Sequence, residues 1–153
     1  IAKPEVADAY KGLTISTFGG NPVTTTAALA VLDYMDENNL MQNAQTQGDY
    51  LRAKLEELAA KFELIGEVRG MGLLQAIELV EDRQSKIPAA AATNAMLEAA
   101  RDNRIFIGKG GLSGNVLRIS PPMNIGKTDI DNFVEALDAS FQKVTADRMA
   151  AAK

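Results

Sequence analysis

Two hydroxyl side chains, Ser16 and Thr17, stand just before a pair of glycines and an Asn21-Pro22 dipeptide. Asparagine is a favoured N-cap and proline suits the first helical position, so Asn21 and Pro22 predict the start of a helix. The first turn of a helix carries backbone N–H groups without intrahelical partners, and it attracts anions. Ser16 and Thr17 are therefore candidate donors to a phosphate, and the alternative is an ordinary strand–turn–helix junction.

Arg118 is the second candidate for chemistry. It lies in a predicted strand over 115–119, which the run Ser120-Pro121-Pro122 ends. Side chains alternate between the two faces of a strand, so Arg118 points away from the apolar face that Leu117 and Ile119 form. A guanidinium on a rigid strand offers two parallel N–H donors to a carboxylate. A solvated arginine without a ligand is the alternative.

Other polar residues give weaker signals. Arg69 lies in a glycine-rich turn, where its surroundings favour a structural role over ligand contact. The glycine-rich run 108–114 has serine at 113 where a dinucleotide fingerprint needs glycine, and a strand follows it instead of a helix. A flexible hairpin or a loop beside the substrate is the better interpretation. Nothing in the sequence pairs two carboxylates in a cleft; the acidic residues considered are Glu67, Glu78, Glu81 and Asp82.

Composition excludes several classes of function. The sequence has no histidine and no cysteine, which removes the commonest general base, thiol catalysis, disulfides and cysteine-ligated metals. A net charge of −4 with scattered basic residues argues against nucleic-acid binding. No apolar run approaches the ~20 residues that span a bilayer, and no signal peptide opens the sequence. We expect a cytoplasmic protein, and the absence of an initiator methionine indicates part of a longer chain.

The elements that would position these residues follow from periodicity. A short helix is predicted over 1–12, and a buried helix over 23–38 because its apolar residues cover a broad arc. A third helix, 40–61, has an apolar stripe in which Gly48 indicates close contact with another backbone; a short coiled coil is its alternative. The rest reads as a β-β-α-β-β-α unit, with strands over 64–68, 73–80, 105–107 and 115–119, a helix over 88–103, and a last helix capped by Thr128 with Asp131 three residues later.

Four blocks of the sequence carry a resemblance to a known family. They are Thr17-Phe18-Gly19-Gly20-Asn21-Pro22, the run from Ile65 to Leu73 (IGEVRGMGL), Gly110-Gly111 followed by Asn115-Val116-Leu117-Arg118, and Arg118-Ile119-Ser120-Pro121-Pro122-Met123. In order and spacing they resemble the C-terminal part of the class III pyridoxal-phosphate aminotransferases, the ornithine, acetylornithine, 4-aminobutyrate and alanine–glyoxylate type. The resemblance covers about residues 1–145.

The resemblance implies a fold, a cofactor and two roles. The fold is α/β, the C-terminal part of a fold-type I transferase, in which 1–61 complete the large domain and 62–153 form a small α+β domain with a mainly antiparallel sheet. Thr17, with Ser16 beside it, would contact the phosphate of pyridoxal 5'-phosphate in the neighbouring subunit of a homodimer. Arg118 would bind the substrate α-carboxylate. The substrates would be an amino acid and a 2-oxo acid.

The family pattern is incomplete in this sequence. No lysine here stands in the context of the lysine that forms the Schiff base with the cofactor, and the aspartate that pairs with the pyridine nitrogen is also unmatched. We therefore expect a transaminase only as part of a longer or complemented chain, with no catalytic residue in this segment. The alternative is a non-catalytic module that binds a carboxylate or dimerises through 13–61.

Overall fold

A computed structural model describes residues 2–13 and 15–151. The chain divides into two units, one ending at Asn38 and one beginning at Asn39. Over the described residues, no helix is both long enough and apolar enough to cross a membrane.

The first unit contains the helices α1 (Pro4–Ala7) and α2 (Pro22–Glu37). The predicted start of α2 is confirmed: Asn21 is the N-cap, its Oδ1 accepts from the Thr24 N–H at 3.0 Å, and its Nδ2 donates to the Phe18 carbonyl at 2.8 Å. The helix predicted over 1–12 is only four residues long. A single short turn gains too little to extend without an element to pack against.

The prediction that α2 is buried is wrong for this unit. None of its residues is buried, and most of its large apolar side chains are more than half exposed, as Leu29, Val31 and Leu32 illustrate at 60%, 59% and 56%. Apolar periodicity reports only that a face is suited to burial, and burial itself requires another element to cover that face.

The second unit is a layer of helices on a four-stranded sheet. Its elements are α3 (Leu40–Lys61), β1 (Ile65–Met71), β2 (Leu74–Leu79), α4 (Ala90–Asp102), β3 (Gly108–Gly110), β4 (Val116–Ile119) and α5 (Lys127–Ala151). The strand order is β1-β2-β4-β3, and every pairing is antiparallel. The predicted β-β-α-β-β-α order, the mainly antiparallel sheet and the bounds of α3 are confirmed.

One face of the sheet forms the core with the helices. Along β2, Gln75, Ile77 and Leu79 are buried, while Leu74 on the opposite face is exposed. The buried face packs against α3, α4 and α5 through a continuous apolar cluster in which Phe141 is fully buried and stacks on Phe62. Among residues 39–151, no helix covers the other face of the sheet, and we call it the open face.

Two local predictions are wrong. Residues 105–107 are not a strand: the edge strand β3 begins at Gly108, and Phe106 is 91% exposed. The last helix begins at Lys127, so Thr128 lies inside its first turn instead of capping it. Asp129 is the acidic residue that reaches back to the start of the helix, where its side chain accepts a hydrogen bond from the Gly126 N–H at 3.3 Å. Asp131 accepts a hydrogen bond from Tyr50 Oη.

The domain boundary at 61/62 stays a prediction. Within this chain, α3 packs on β1 and β2 and shares their core. The large and small domains inferred from the resemblance are domains of the longer enzyme, and the packing within this chain does not test the boundary between them.

Candidate functional site

The open face holds a row of four cross-strand partners. Arg69 on β1 pairs with Ala76 on β2, Ala76 pairs with Arg118 on β4, and Arg118 pairs with Gly108 on β3. Cross-strand partners point to the same face, so both guanidinium groups rise from the open face with a small residue between them. Their surroundings differ sharply.

Arg69 is neutralised by two carboxylates. Its Nη1 donates to Glu78 Oε2 at 2.5 Å and to Glu67 Oε2 at 2.7 Å. The hydrogen bond from Arg69 lowers the pKa of Glu78, and a weaker bond from Asn115 acts in the same direction. The same pair with Glu78 raises the pKa of Arg69. Arg69 therefore has the structural role that its position in the sequence indicated.

Arg118 carries an open guanidinium. Among the described residues, no carboxylate comes within ion-pair distance of it, in contrast to Arg69 two strands away. Its side chain lies across Gly108, since a methyl group placed on that glycine would be 3.2 Å from both Nε and Nη2. All the N–H donors of this planar fork remain available for a planar anion.

An apolar cavity of about 350 Å³ adjoins Arg118. Its wall includes Phe106 and Ile107 before the edge strand, Phe133 from α5, and Pro121 in the segment after β4. Arg118 thus contributes a cation without a carboxylate partner among the described residues to the lining of a mostly apolar cavity. Such a site favours a ligand with a carboxylate and an apolar part, because an anion near apolar walls is less screened by water.

Asn43 fixes the segment that forms part of this wall, and sequence reasoning missed it. Its Nδ2 donates to the Met123 carbonyl at 2.7 Å and to the Ile125 carbonyl at 3.0 Å. The partners are some 80 residues away in the chain, and no local pattern signals the contact. The strand register that brings Arg69 and Arg118 to the same row of the sheet was also not predictable from a local sequence pattern.

Ser16 and Thr17 lie in the first unit, at the turn that leads into α2. The Gly19 N–H donates to the Ser16 carbonyl at 3.3 Å, and Gly20 has a φ of +73°, which suits glycine. Both residues are exposed, and neither hydroxyl is hydrogen-bonded within the part of the chain that the structure describes. They can donate to an external anion beside the capped start of α2.

Solved structures with a similar fold belong to one class of enzyme. An aminotransferase from Bacillus anthracis superposes with a TM-score of 0.82 at 30% identity, covering 92% of this chain and 34% of that one. A phospholyase from Arthrobacter in complex with phosphoethanolamine superposes with a TM-score of 0.81 at 36% identity, covering 91% and 33%. The predicted fold class, that of the fold-type I transferases, is confirmed.

The sequence matches the same class. The profile of the class-III aminotransferases matches residues 1–141, and this chain belongs to that family. It is 45% identical over 145 residues to the mitochondrial alanine–glyoxylate aminotransferase 2 homolog 2 of Arabidopsis thaliana, and 40% identical over 146 residues to the taurine–pyruvate aminotransferase of Bilophila wadsworthia. These matches cover 94% and 92% of this chain but 30% and 32% of the relatives. The chain thus spans about a third of their length.

Proposed function

We propose that this chain is the C-terminal segment of a pyridoxal-phosphate-dependent aminotransferase, which transfers an amino group between an amino acid and a 2-oxo acid. Membership of the class-III family supports the reaction class. The observation that carries the proposal is the contrast on the open face, where Arg69 is held by two glutamates and Arg118 is left open. A single unneutralised guanidinium beside an apolar cavity suits capture of an amino-acid carboxylate.

Arg118 binds and orients in this proposal, and it transfers no proton. Two parallel N–H groups fix both the position and the plane of the α-carboxylate, which sets the orientation of the neighbouring α-carbon. Arg118 is exposed in this chain, and the apolar wall of the adjoining cavity would keep water from the side of the ion pair that it covers, which would strengthen the pair.

The cofactor assignment rests on Ser16 and Thr17. Both are exposed hydroxyl donors on the turn before α2, and this donor set fits a phosphate group. Pyridoxal phosphate, when bound, supplies the electron sink for amino transfer. The resemblance implies that Thr17 serves the site of the neighbouring subunit, so we propose a homodimer in which each chain contributes to two active sites. The lysine and aspartate that complete the cofactor site are not matched by any residue of this chain.

Two further expectations belong with this proposal. In the assembled enzyme, residues 1–61 complete the large domain and residues 62–153 form the small domain. A cytoplasmic location stays a prediction, and the Arabidopsis relative is named as mitochondrial. Nucleic acid is not an expected partner, because the net charge of −4 would oppose binding to a phosphate backbone.

Removal of the Arg118 guanidinium in the full-length enzyme tests the function. We expect Arg118→Ala to weaken capture of the amino donor by ~2–5 kcal/mol, because a charge-assisted carboxylate pair is lost. Retention of pyridoxal phosphate, measured by the cofactor absorbance after dialysis, should not change. Lys109→Ala is the matched control: it removes a nearby cation whose Nζ contacts Asn94 instead of facing a free site. Equal KM values for Arg118→Ala and Lys109→Ala would refute the role of Arg118.

A further inference from the structure

Gly108 lies directly beneath the charged end of the Arg118 side chain. The two residues are cross-strand partners in the β3–β4 pair. A methyl group on Gly108 would be 3.2 Å from Nε and from Nη2 of Arg118 and 3.5 Å from Cζ. The guanidinium therefore lies over the bare backbone of this glycine: an added carbon atom would be crowded by Nε and Nη2, while Cζ would be at an ordinary contact distance.

The glycine is not required by its own backbone. Gly108 is outside the set of glycines with positive φ in this structure, in contrast to Gly111 and Gly114 of the following turn. An alanine would adopt the same strand conformation without strain, and glycine is intrinsically unfavourable in strands. The contact that distinguishes this position from an ordinary strand residue is the one with Arg118.

The opposite side of Arg118 offers no equivalent place. Its other cross-strand partner is Ala76, and beyond that lies Arg69, whose guanidinium is already bound to Glu67 and Glu78. A fork displaced from Gly108 would move toward this second cation or into solvent. Both movements take it away from Phe106 and the cavity beside the edge strand.

We propose that Gly108 is a positioning residue for substrate binding, which holds the Arg118 fork across the edge strand by leaving space for it. This inference rests on the proposed role of Arg118 in binding the substrate carboxylate. It assigns Gly108 no contact with the substrate. Its effect on the reaction passes through the position of the guanidinium alone.

Gly108→Ala and Gly108→Val in the full-length, cofactor-loaded enzyme test the proposal. Each substitution should displace the guanidinium by some tenths of an ångström or more, which weakens binding of the carboxylate. We expect the KM of the amino donor and the inhibition constant of propanoate to rise roughly tenfold in Gly108→Ala and about a hundredfold in Gly108→Val. Cofactor retention should stay unchanged. A crystal structure of Gly108→Ala should show the guanidinium displaced from the edge strand.

Gly110→Ala is the matched control. Gly110 lies two residues along the same strand, also lacks a positive φ, and has open space where a methyl group would be added. We expect its KM and propanoate inhibition constant to stay within twofold of the wild type. If Gly110→Ala weakens binding as much as Gly108→Ala, or if the Arg118 fork is unmoved in the Gly108→Ala crystal, the proposal is overturned.

A double-mutant comparison separates this proposal from the proposed function. With Arg118→Ala already present, Gly108→Ala should cause no further loss, because it acts only through that side chain. An equal loss in both backgrounds would overturn the positioning role. If Arg118→Ala weakens substrate capture and Gly108→Ala does not, this inference alone fails. If Arg118→Ala itself has no effect, the proposed function fails as well.

Discussion

The backbones of Gly48 on α3 and Gly72 in the β1–β2 turn are in direct contact. A Cβ on Gly48 would lie 2.2 Å from the carbonyl carbon of Gly72 and 2.4 Å from its oxygen. Gly72 itself has a φ of +52°, which glycine adopts readily. The α3 helix and the β1–β2 hairpin, which carries Arg69, therefore pack with their backbones in van der Waals contact. The position of Gly48 in the apolar stripe of α3 predicted this close contact.

Gly48→Ala should destabilise the protein. The added methyl group overlaps backbone, which cannot rotate away, and overpacking of this kind costs about 1–3 kcal/mol. The higher helix propensity of alanine offsets at most ~1 kcal/mol of this cost. Urea unfolding measures the net loss, and Gly110→Ala, which adds its methyl group in open space, should leave the unfolding midpoint nearly unchanged. A Gly48→Ala midpoint equal to or above that of the wild type would contradict the contact.

Asn43→Ala should weaken the segment that follows β4. The substitution leaves the Met123 and Ile125 carbonyls without their shared donor, and an unsatisfied half-buried group costs about 1–3 kcal/mol. Thermal unfolding compared with Gln42→Ala measures this loss. Gln42 is the exposed neighbour of Asn43 on α3, and its substitution should cost under ~0.5 kcal/mol. Equal melting temperatures for the two variants would show that the Asn43 bonds contribute nothing.

The Arg69–Glu78 pair should make stability depend on pH in the acid range. The hydrogen bond from Arg69 lowers the pKa of Glu78 below its ordinary value of 4.5, so the folded state favours the ionised carboxylate. Its contribution is complete above pH 4.5 and is lost as the pH falls through the lowered pKa of the folded state. Because both side chains are partly exposed, the contribution is only ~0.2–1 kcal/mol.

Glu78→Gln provides the measurement. The difference in unfolding free energy between wild type and Glu78→Gln should be largest at neutral pH and should shrink below pH 4.5. Glu135→Gln, an exposed carboxyl of α5 outside the ion pairs of the described residues, is the control. A Glu78→Gln difference that stays constant from pH 7 to pH 3 would rule out the pair as its source.

Local signals account for what could be predicted from the sequence. The start of α2 follows from Asn21 and Pro22, because a cap forms between residues three positions apart. The alternation in β2 was readable since one of its faces is packed against helices. The order of elements in the second unit followed from the same periodicities.

Partners distant in sequence account for what was missed. The pairing of Arg69 with Glu78 requires the register of β1 on β2, which the glycine-rich turn left open. In the sequence, Asn43 cannot be distinguished from other polar residues of a helix, because its hydrogen-bond partner Met123 is 80 residues away in the chain. The burial predicted for α2 failed for a related reason, because a sequence states which side chains are apolar and not what covers them.

In the proposed homodimer each active site takes Thr17 from one subunit and Arg118 from the other, and a dimer of two different variants distinguishes this from a site built within one subunit. Thr17→Val removes the hydroxyl proposed to serve the partner's cofactor, and Arg118→Ala removes the fork proposed to serve the chain's own site. Each variant homodimer should be impaired. The Thr17→Val homodimer should be impaired at limiting pyridoxal phosphate, because it loses a hydrogen bond to the charged phosphate that contributes ~1.5–3 kcal/mol. In a dimer of one chain of each kind, one site has both groups intact and the other has neither.

The decisive measurement is transaminase activity, at limiting pyridoxal phosphate, of the purified full-length Thr17→Val/Arg118→Ala heterodimer, isolated with two different affinity tags. We expect about half of the wild-type activity per dimer, from one complete active site. Activity no higher than the mean of the two mutant homodimers would contradict it, because Thr17 and Arg118 would then serve the same subunit's site.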